Sequence, residues 1–295
     1  MGRIVKRFAL AKDLCYSRIV PRAVGSRFRS RLERSEGLVI AKLRQAAERL
    51  CASQRAVAFT GAGISTPSGI PDFRSTGTGL WNFDDPLRVA SIWAFCQDPE
   101  AFYRWIKPLA RRFMSARPNP AHRAMAELEA NGYLSAVITQ NVDSLHQQAG
   151  SGHVLELHGD IQTMLCLQCG AREPSGPYWP PFMAHGLLPR CPRCQAVLKP
   201  SAILFGEQPP HHTLSQAQQE ALGCDLMLVA GSSLEVMPAA DLPRLASRRG
   251  ASLIVINEQP TPVDRLAAFV FRADVTAVLP RLASLCRPAP HAGSP

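Results

Sequence analysis

The period of apolar and polar positions changes several times along the chain, and each change marks an element. Residues 38–53 (LVIAKLRQAAERLCAS) carry apolar side chains at helical spacing, and Ala56-Val57-Ala58-Phe59 follows as a short strand. Residues 86–116 read as two helices, the second starting near Asp98-Pro99-Glu100. Asn119-Pro120 pairs a capping side chain with proline at the first helical position, and Asn131-Gly132 is a stop for that helix. A strand, Leu134–Ile138, ends in Thr139-Gln140-Asn141-Val142-Asp143. Asp225–Ala230 (DLMLVA) is a buried strand that opens into Gly231-Ser232-Ser233 and a helix around 238–248. Ala251–Ile256 (ASLIVI) is another, ending in Asn257-Glu258, and helical residues near 274–286 close the pattern.

Strands alternating with helices predict an α/β fold built on a Rossmann-like parallel sheet with helices on both faces. Such sheets hold ligands at the carboxyl ends of their strands. Here those ends carry Gly61-Ala62-Gly63-Ile64-Ser65, TQNVD, GSS and NE, a polar set along one edge.

Composition narrows the picture only in part. The chain has 295 residues, 46% hydrophobic and 19% charged, which is enough for one sizeable core. No apolar run approaches the roughly 18 residues of a membrane span. The net charge of +10 suggests nucleic acid until it is located. Residues 1–31 hold nine basic residues and one acid, Asp13, so +8 sits in the head and +2 remains for residues 32–295. The folded body is nearly neutral and gives no reason to expect a nucleic-acid surface. The head itself is open to several readings: a disordered arm that touches acidic partners, an Arg-rich organelle presequence, translated sequence upstream of the true start, or a tail without defined function. The expected division is a basic, disordered extension over 1–37, a folded domain over 38–286 and a loose tail over 287–295.

Four of the nine cysteines form Cys166-x-x-Cys169 and Cys191-x-x-Cys194, with 21 residues between the pairs. Two such knuckles present four thiolates to one tetrahedral Zn²⁺, and a four-sulfur site has no open position for water. The metal is therefore expected to be structural, in a small ribbon-like module over about 160–200. With no secretion signal, the odd cysteine count favours a reducing compartment, and a cytoplasmic location, over a disulfide framework.

Gly61-Ala62-Gly63 directly after a strand resembles a dinucleotide-binding turn, in which glycines let the backbone approach a pyrophosphate. The third glycine of that fingerprint is missing, because Thr66 stands in its place. By itself the loop reads equally as a structural turn. Its far end, Ser68-Gly69-Ile70-Pro71-Asp72-Phe73-Arg74, is too decorated for a plain entry into a helix.

Taken in order, GAGIS, GIPDFR, TQNVD-x-LH (139–146), ELHG (156–159), the two cysteine knuckles, KP-x4-FGE (199–207) and GSSL-x-V-x-PAA (231–240) resemble the sirtuins, NAD-dependent protein lysine deacylases. The resemblance covers about residues 38–286. It implies a chain that moves an acetyl group from a lysine side chain to the ADP-ribose part of NAD, releasing nicotinamide and O-acetyl-ADP-ribose. Protein ADP-ribosyl transfer, or removal of another neutral acyl group, is the alternative. The resemblance also implies a helical insertion after the cofactor loop.

The roles of single residues follow from the same resemblance. His158 matches the general base at the cofactor ribose, where a pKa near the working pH is needed. Asn141 and Asp143, with Gln140 beside them, line the ribose and nicotinamide end, although Asp143 could equally cap a helix. Gly61, Ala62 and Gly63 face the pyrophosphate. Ile70 and Asp72 meet the nicotinamide carboxamide, Phe73 shields the reacting ribose carbon and Arg74 reaches phosphate. Gly231, Ser232 and Ser233 lie on the adenosine side, Asn257 and Glu258 at its ribose and Val275 beside the adenine. His146 and His122 read as structural.

Acetylated protein substrates would add a strand between Phe205-Gly206-Glu207 and Leu234–Val236, although Leu234 and Val236 read equally as core. Acidic-acyl deacylases carry Tyr-x-x-Arg in the helix after the cofactor loop. Here Tyr103 is followed by Ile106 at the arginine's place, which favours a neutral acyl group. The rival from another class is a nucleic-acid-binding module in which the zinc ribbon and basic head make the contacts. Intact His158, Asn141 and Asp143 argue against it.

Overall fold

The structure, a computed structural model, describes residues 25–72 and 85–286. Phe73 and Arg74 of the cofactor loop, residues 1–24 of the basic head and the tail lie outside the described residues. Helix α1 (Gly25–Cys51) leads into strand β1 (Ala56–Thr60). Its start is earlier than the spacing predicts, so residues 25–37, expected to be disordered, are helical. That stretch is rich in arginine, serine and glutamate with a leucine among them, and arginine, glutamate and leucine sustain a helix well.

Residues 86–115 form three helices rather than the two expected: α2 (Pro86–Val89), α3 (Ile92–Gln97) and α4 (Pro99–Ser115). Side-chain caps make the breaks. The Ser91 hydroxyl accepts from the Ala94 amide, and the Asp98 carboxylate accepts from the Ala101 amide to start α4. Helix α5 (Pro120–Ala130) begins and ends as predicted, with Asn119 and His122 forming a reciprocal capping box. Then follow β2 (Ala136–Thr139), α6 (Leu145–Ala149) and β3 (Val154–Glu156). After the small module come α8 (His211–Gly223), β7 (Leu226–Ala230), α9 (Leu242–Arg248), β8 (Ser252–Ile256), β9 (Phe269–Phe271) and α10 (Val275–Cys286); the module itself holds β4 (Thr163–Leu165), β5 (Arg172–Pro174), α7 (Trp179–His185) and β6 (Lys199–Pro200).

The main sheet has six strands in the order β3-β2-β1-β7-β8-β9, and every pairing is parallel. Both faces are covered, which is why β1, β2 and β7 are buried at every residue. Side-chain alternation divides the burial. Ala58, Val137, Leu228 and Ile254 face a layer made with α1, α5 and α10, whereas Phe59, Ile138, Val229 and Leu253 face one made with α8 and α9.

A second, antiparallel sheet, β5-β4-β6, belongs to the insertion after β3. It packs on the other insertion, α3 and α4, through Phe95, Phe102, Tyr103 and Ile106 against Met164, Trp179, Phe182 and Leu198. The two insertions thus form one small lobe with its own core. At its end, Cys166, Cys169, Cys191 and Cys194 bring their sulfurs within 4.8 Å of one another. This group is compatible with one structural zinc, as the spacing predicts. Among the described residues, no helix is long and apolar enough to cross a membrane.

Cys191 is fully buried and shares the core with Trp179. A Cys191→Ser variant is expected to lose its zinc and expose Trp179, read as a lower metal content and a red-shifted tryptophan emission. Full metal content with unchanged emission would remove the structural role assigned to the four thiolates.

Candidate active site

Parallel pairing brings the carboxyl ends of β1, β2, β3, β7 and β8 to one edge. The two central strands leave the sheet through glycines. The Gly63 amide donates to the Gly231 carbonyl at 2.8 Å, and a Cβ on Gly63 would stand 2.9 Å from that oxygen. A Cβ on Gly61 would stand 2.9 Å from the Ser232 side chain, and Gly231 itself has φ +63°. Only glycine fits this crossing, where the backbone of the Gly61–Ser65 turn lies directly on the end of β7.

Beside it, the loop after β2 builds a polar network. The Asn141 amide Nδ2 donates to Ser65 Oγ at 3.0 Å, and the Ser65 hydroxyl donates to Asp143 Oδ2 at 2.6 Å. Asp143 Oδ1 also accepts from the Leu145 amide at 2.9 Å. Burial pushes the Asp143 carboxyl above its ordinary value, and the Ser65 and Leu145 donors work against that rise. His122 stands behind Ser65, with Nε2 at 3.4 Å from Oγ. Its Nδ1 accepts the Asn119 amide, so in the neutral ring the proton is on Nε2 and points at Ser65.

One layer deeper, His146 Nε2 lies 2.9 Å from Thr60 Oγ1, which also meets Thr139 Oγ1 at 2.8 Å. His146 Nδ1 is buried without a hydrogen-bond partner. Burial, with Arg123 as a lesser cause, holds His122 down to about 4. Burial, followed by the neighbouring His122, holds His146 down to about 3. Both rings are therefore uncharged at neutral pH.

His158 follows β3, half-buried, with its Nδ1 3.0 Å from the Gln140 carbonyl. A carbonyl only accepts, so Nδ1 carries the proton and the lone pair of the neutral ring is on Nε2. Gln140 in turn donates from Nε2 to Ser232 Oγ at 3.3 Å, joining the two halves of the sheet edge. Gly159, at φ +68°, has no space for a Cβ against Ser201. It lets the chain after His158 turn under the small lobe, where the Ile203 amide donates to the His158 carbonyl. A cavity of about 410 Å³ adjoins the cofactor loop, lined by Thr66, Gly69, Ile70, Pro71, Asp72 and Arg112.

The remaining expected site residues fall into two groups. Ser233 and Asn257 are half-buried and Glu258 exposed at the ends of β7 and β8, with the Asn257 amide turned onto the Gln259 carbonyl. Val275, by contrast, has its side chain in the core, and so has Leu234, at φ +56°. Val236 is half-buried. The Phe205 backbone already pairs with Ala90 and Ile92, and the Trp93 ring lies on Gly206. Tyr103 is fully buried, and its hydroxyl donates to the Leu198 carbonyl at 2.6 Å, so the structure draws it into the small-lobe core. Ile106 is buried in the same cluster.

Sequence reasoning missed three contributors. Ser65 ends the GAGIS motif and links Asn141 to Asp143. Arg112, one of several exposed cations on α4, gave no signal of its own. Lys199, the lysine of KP-x4-FGE, is 1% exposed and bonds Glu207 Oε2 at 2.9 Å and the Ala202 carbonyl at 2.8 Å. Glu207 also accepts the Leu204 amide, so this buried ion pair holds the Phe205-Gly206-Glu207 turn in shape. Burial lowers the Lys199 pKa, and Glu207 opposes the fall.

The histidines and Glu156 titrate in opposite directions. An unfolded histidine binds its proton near 6.5, so between there and about 4 or 3 the unfolded chain holds more protons and stability falls as pH falls. Burial pushes the Glu156 carboxyl from 4.5 up to about 7, so the folded chain holds that proton longer and stability falls as pH rises through this window. Glu156→Gln is therefore expected to raise the Tm at pH 8 and leave it unchanged at pH 5. The same shift at both values would rule out the carboxylate's charge as its source.

A family model described as "Sir2 family" matches residues 61–238. "NAD-dependent protein deacylase 2" of Archaeoglobus fulgidus is 46% identical over 245 residues, 82% of this chain and 94% of that protein. "NAD-dependent protein deacetylase 1" of Geobacillus kaustophilus is 43% identical, over 79% of this chain and 94% of that protein. A solved structure described as "Sir2-p53 peptide-NAD+" superposes with a TM-score of 0.73 at 37% identity, covering 81% of this chain and 96% of that one.

Proposed function

The chain belongs to the Sir2 family, and from that premise we propose that it is an NAD-dependent protein lysine deacetylase. The observation that carries this reading is the His158 ring, oriented through Nδ1 by the Gln140 carbonyl at the edge where the glycine turn and the Ser65–Asn141–Asp143 network meet. The residues present fit NAD. Gly61, Ala62, Gly63, Gly231, Ser232 and Ser233 offer close backbone and hydroxyls to its phosphates and adenosine half. Gln140, Asn141, Ile70 and Asp72 suit the ribose and carboxamide of its nicotinamide half. When bound, NAD supplies the ADP-ribosyl group that accepts the acyl group as nicotinamide departs.

The protein's own part is to position and to move one proton. His158 takes a proton at Nε2, and the Gln140 carbonyl keeps the imidazolium in place by holding Nδ1–H. Ser65 fixes Asn141 and Asp143 relative to each other, so that both side chains keep their aim without charge on His122. The Glu207–Lys199 pair stiffens the Phe205-Gly206-Glu207 turn against which an extended acetyl-lysine peptide would lie. Peptide recognition in that mode rests on backbone hydrogen bonds and so accepts varied sequences.

Ile106, in place of an arginine, offers no partner to an acidic acyl group, and a neutral one such as acetyl is the substrate class it suits. Cys166, Cys169, Cys191 and Cys194 would hold one zinc that shapes the small lobe and takes no step in the reaction.

Turnover of an acetyl-lysine peptide is expected only with NAD present, with succinyl peptides turned over at least tenfold more slowly. His158→Ala is expected to lower kcat by roughly 10²–10⁴-fold, the usual contribution of a general base, with an unchanged Tm. Near-normal turnover in that variant would unseat His158 as the base. Label from NAD on protein without deacetylation would favour ADP-ribosyl transfer instead.

A further inference from the structure

Two cysteines that take no part in the zinc group or the sheet edge meet where the first and last described helices pack together. Cys51 ends α1 and Cys286 ends α10. Cys286 is 2% exposed, and its thiol donates to the Ala47 carbonyl on α1 at 3.7 Å. Ala47 lies one turn before Cys51 on the same helix face. Helical side chains lean towards the N-terminus, which carries the Cys51 sulfur back over that spot. Each thiol lies within electrostatic reach of the other, and the Tyr133 phenol within reach of both. Cys51, unlike Cys286, is exposed to solvent. One sulfur open to a reagent with a second held directly behind it is the arrangement of an attacking and a resolving thiol.

We propose that Cys51 and Cys286 form an oxidisable dithiol that a peroxide converts into a disulfide joining the first helix to the last. The Cys51 thiolate attacks one oxygen of hydrogen peroxide. The O–O bond breaks, the departing hydroxide takes up a proton to give water, and the sulfur becomes a sulfenic acid. The Cys286 thiolate then attacks that sulfur, forming the S–S bond as the S–O bond breaks, and the second oxygen leaves as water. Two thiols lose two electrons and the peroxide is reduced to two waters, so the step balances with peroxide as the named oxidant. Burial, reinforced by Cys51, pushes the Cys286 thiol up, so the second step is favoured as pH rises.

The cross-link would close a loop that contains the whole sheet. It restricts the unfolded chain far more than the native one, where the helices already touch, and the oxidised protein should melt higher.

The test is to treat the zinc-loaded full chain with hydrogen peroxide and follow intact mass, linked peptides, zinc content and Tm. Expected are the loss of two hydrogens, a peptide joining Cys51 to Cys286, retained zinc, and a Tm rise of several degrees that dithiothreitol reverses. Cys51→Ser changes an exposed side chain, so it should fold and melt as the reduced parent does, yet show neither the link nor the shift. The proposal is overturned if Cys51 accumulates as sulfinic acid beside a reduced Cys286. It is equally overturned if the only links found join zinc-site cysteines, or if Cys51→Ser keeps the Tm shift.

Discussion

The contact on which the site rests is the crossing of two backbones with no side chain between them. β1 and β7 are neighbours at the centre of the sheet, and the turns that follow them lean on each other at Gly61, Gly63 and Gly231. Because no Cβ intervenes, the Gly63 amide reaches the Gly231 carbonyl, and the turn lies flat across the end of the neighbouring strand. Ser65 then arrives at a fixed height above β2, within reach of Asn141 and Asp143. Everything polar at this edge is measured from that contact.

A second constraint is electrostatic. The edge concentrates hydrogen-bonding groups in a buried place, and the protein keeps most of them uncharged. His122 and His146 are held neutral by burial, and the Asn119 amide fixes the tautomer of His122. One buried charge, Lys199, is compensated by Glu207 and by a carbonyl. Two rigid supports result. One is a hydrogen-bonded network with uncharged histidines beneath the cofactor-binding residues, and the other is an ion pair beneath the peptide-binding turn. His158 stands between them at the sheet edge.

Much of this was legible in the sequence because it is local. Apolar runs bounded by Gly-Ser-Ser or Asn-Glu gave the central strands, and a capping residue before proline gave α5 within a residue. The motif order pointed to His158, Asn141 and Asp143, and the structure brings them to one edge. Strands β3 and β9 are only three residues each, too short for a periodic signal, and are strands because a neighbour pairs with them. The break between α2 and α3 was hidden because Ser91 makes it with a side-chain cap, without glycine or proline. Tyr103 was expected beside the acyl group and is found in the small-lobe core, since its ring fits a cluster formed by residues about 80 to 95 positions further on. Leu234 could be core or substrate contact by sequence, and its burial in the layer under α9 assigns it to the core. Ser65, Arg112 and Lys199 acquire meaning only from partners that folding supplies.

The strand order also has a consequence for synthesis on the ribosome. β1 is among the first elements to emerge, yet one of its two partners, β7, belongs to the second half of the chain. Until β7 arrives, one side of β1 is an unpaired edge, and the Gly61–Ser65 turn has no strand end to rest on. The half-sheet of β1, β2 and β3 must therefore wait, part-built, for the later residues, although the small-lobe core, Phe95 to Leu204, precedes them. A nascent chain interrupted in that interval presents a sticky β-edge and an unfinished reaction centre at once, so completeness and competence arrive together.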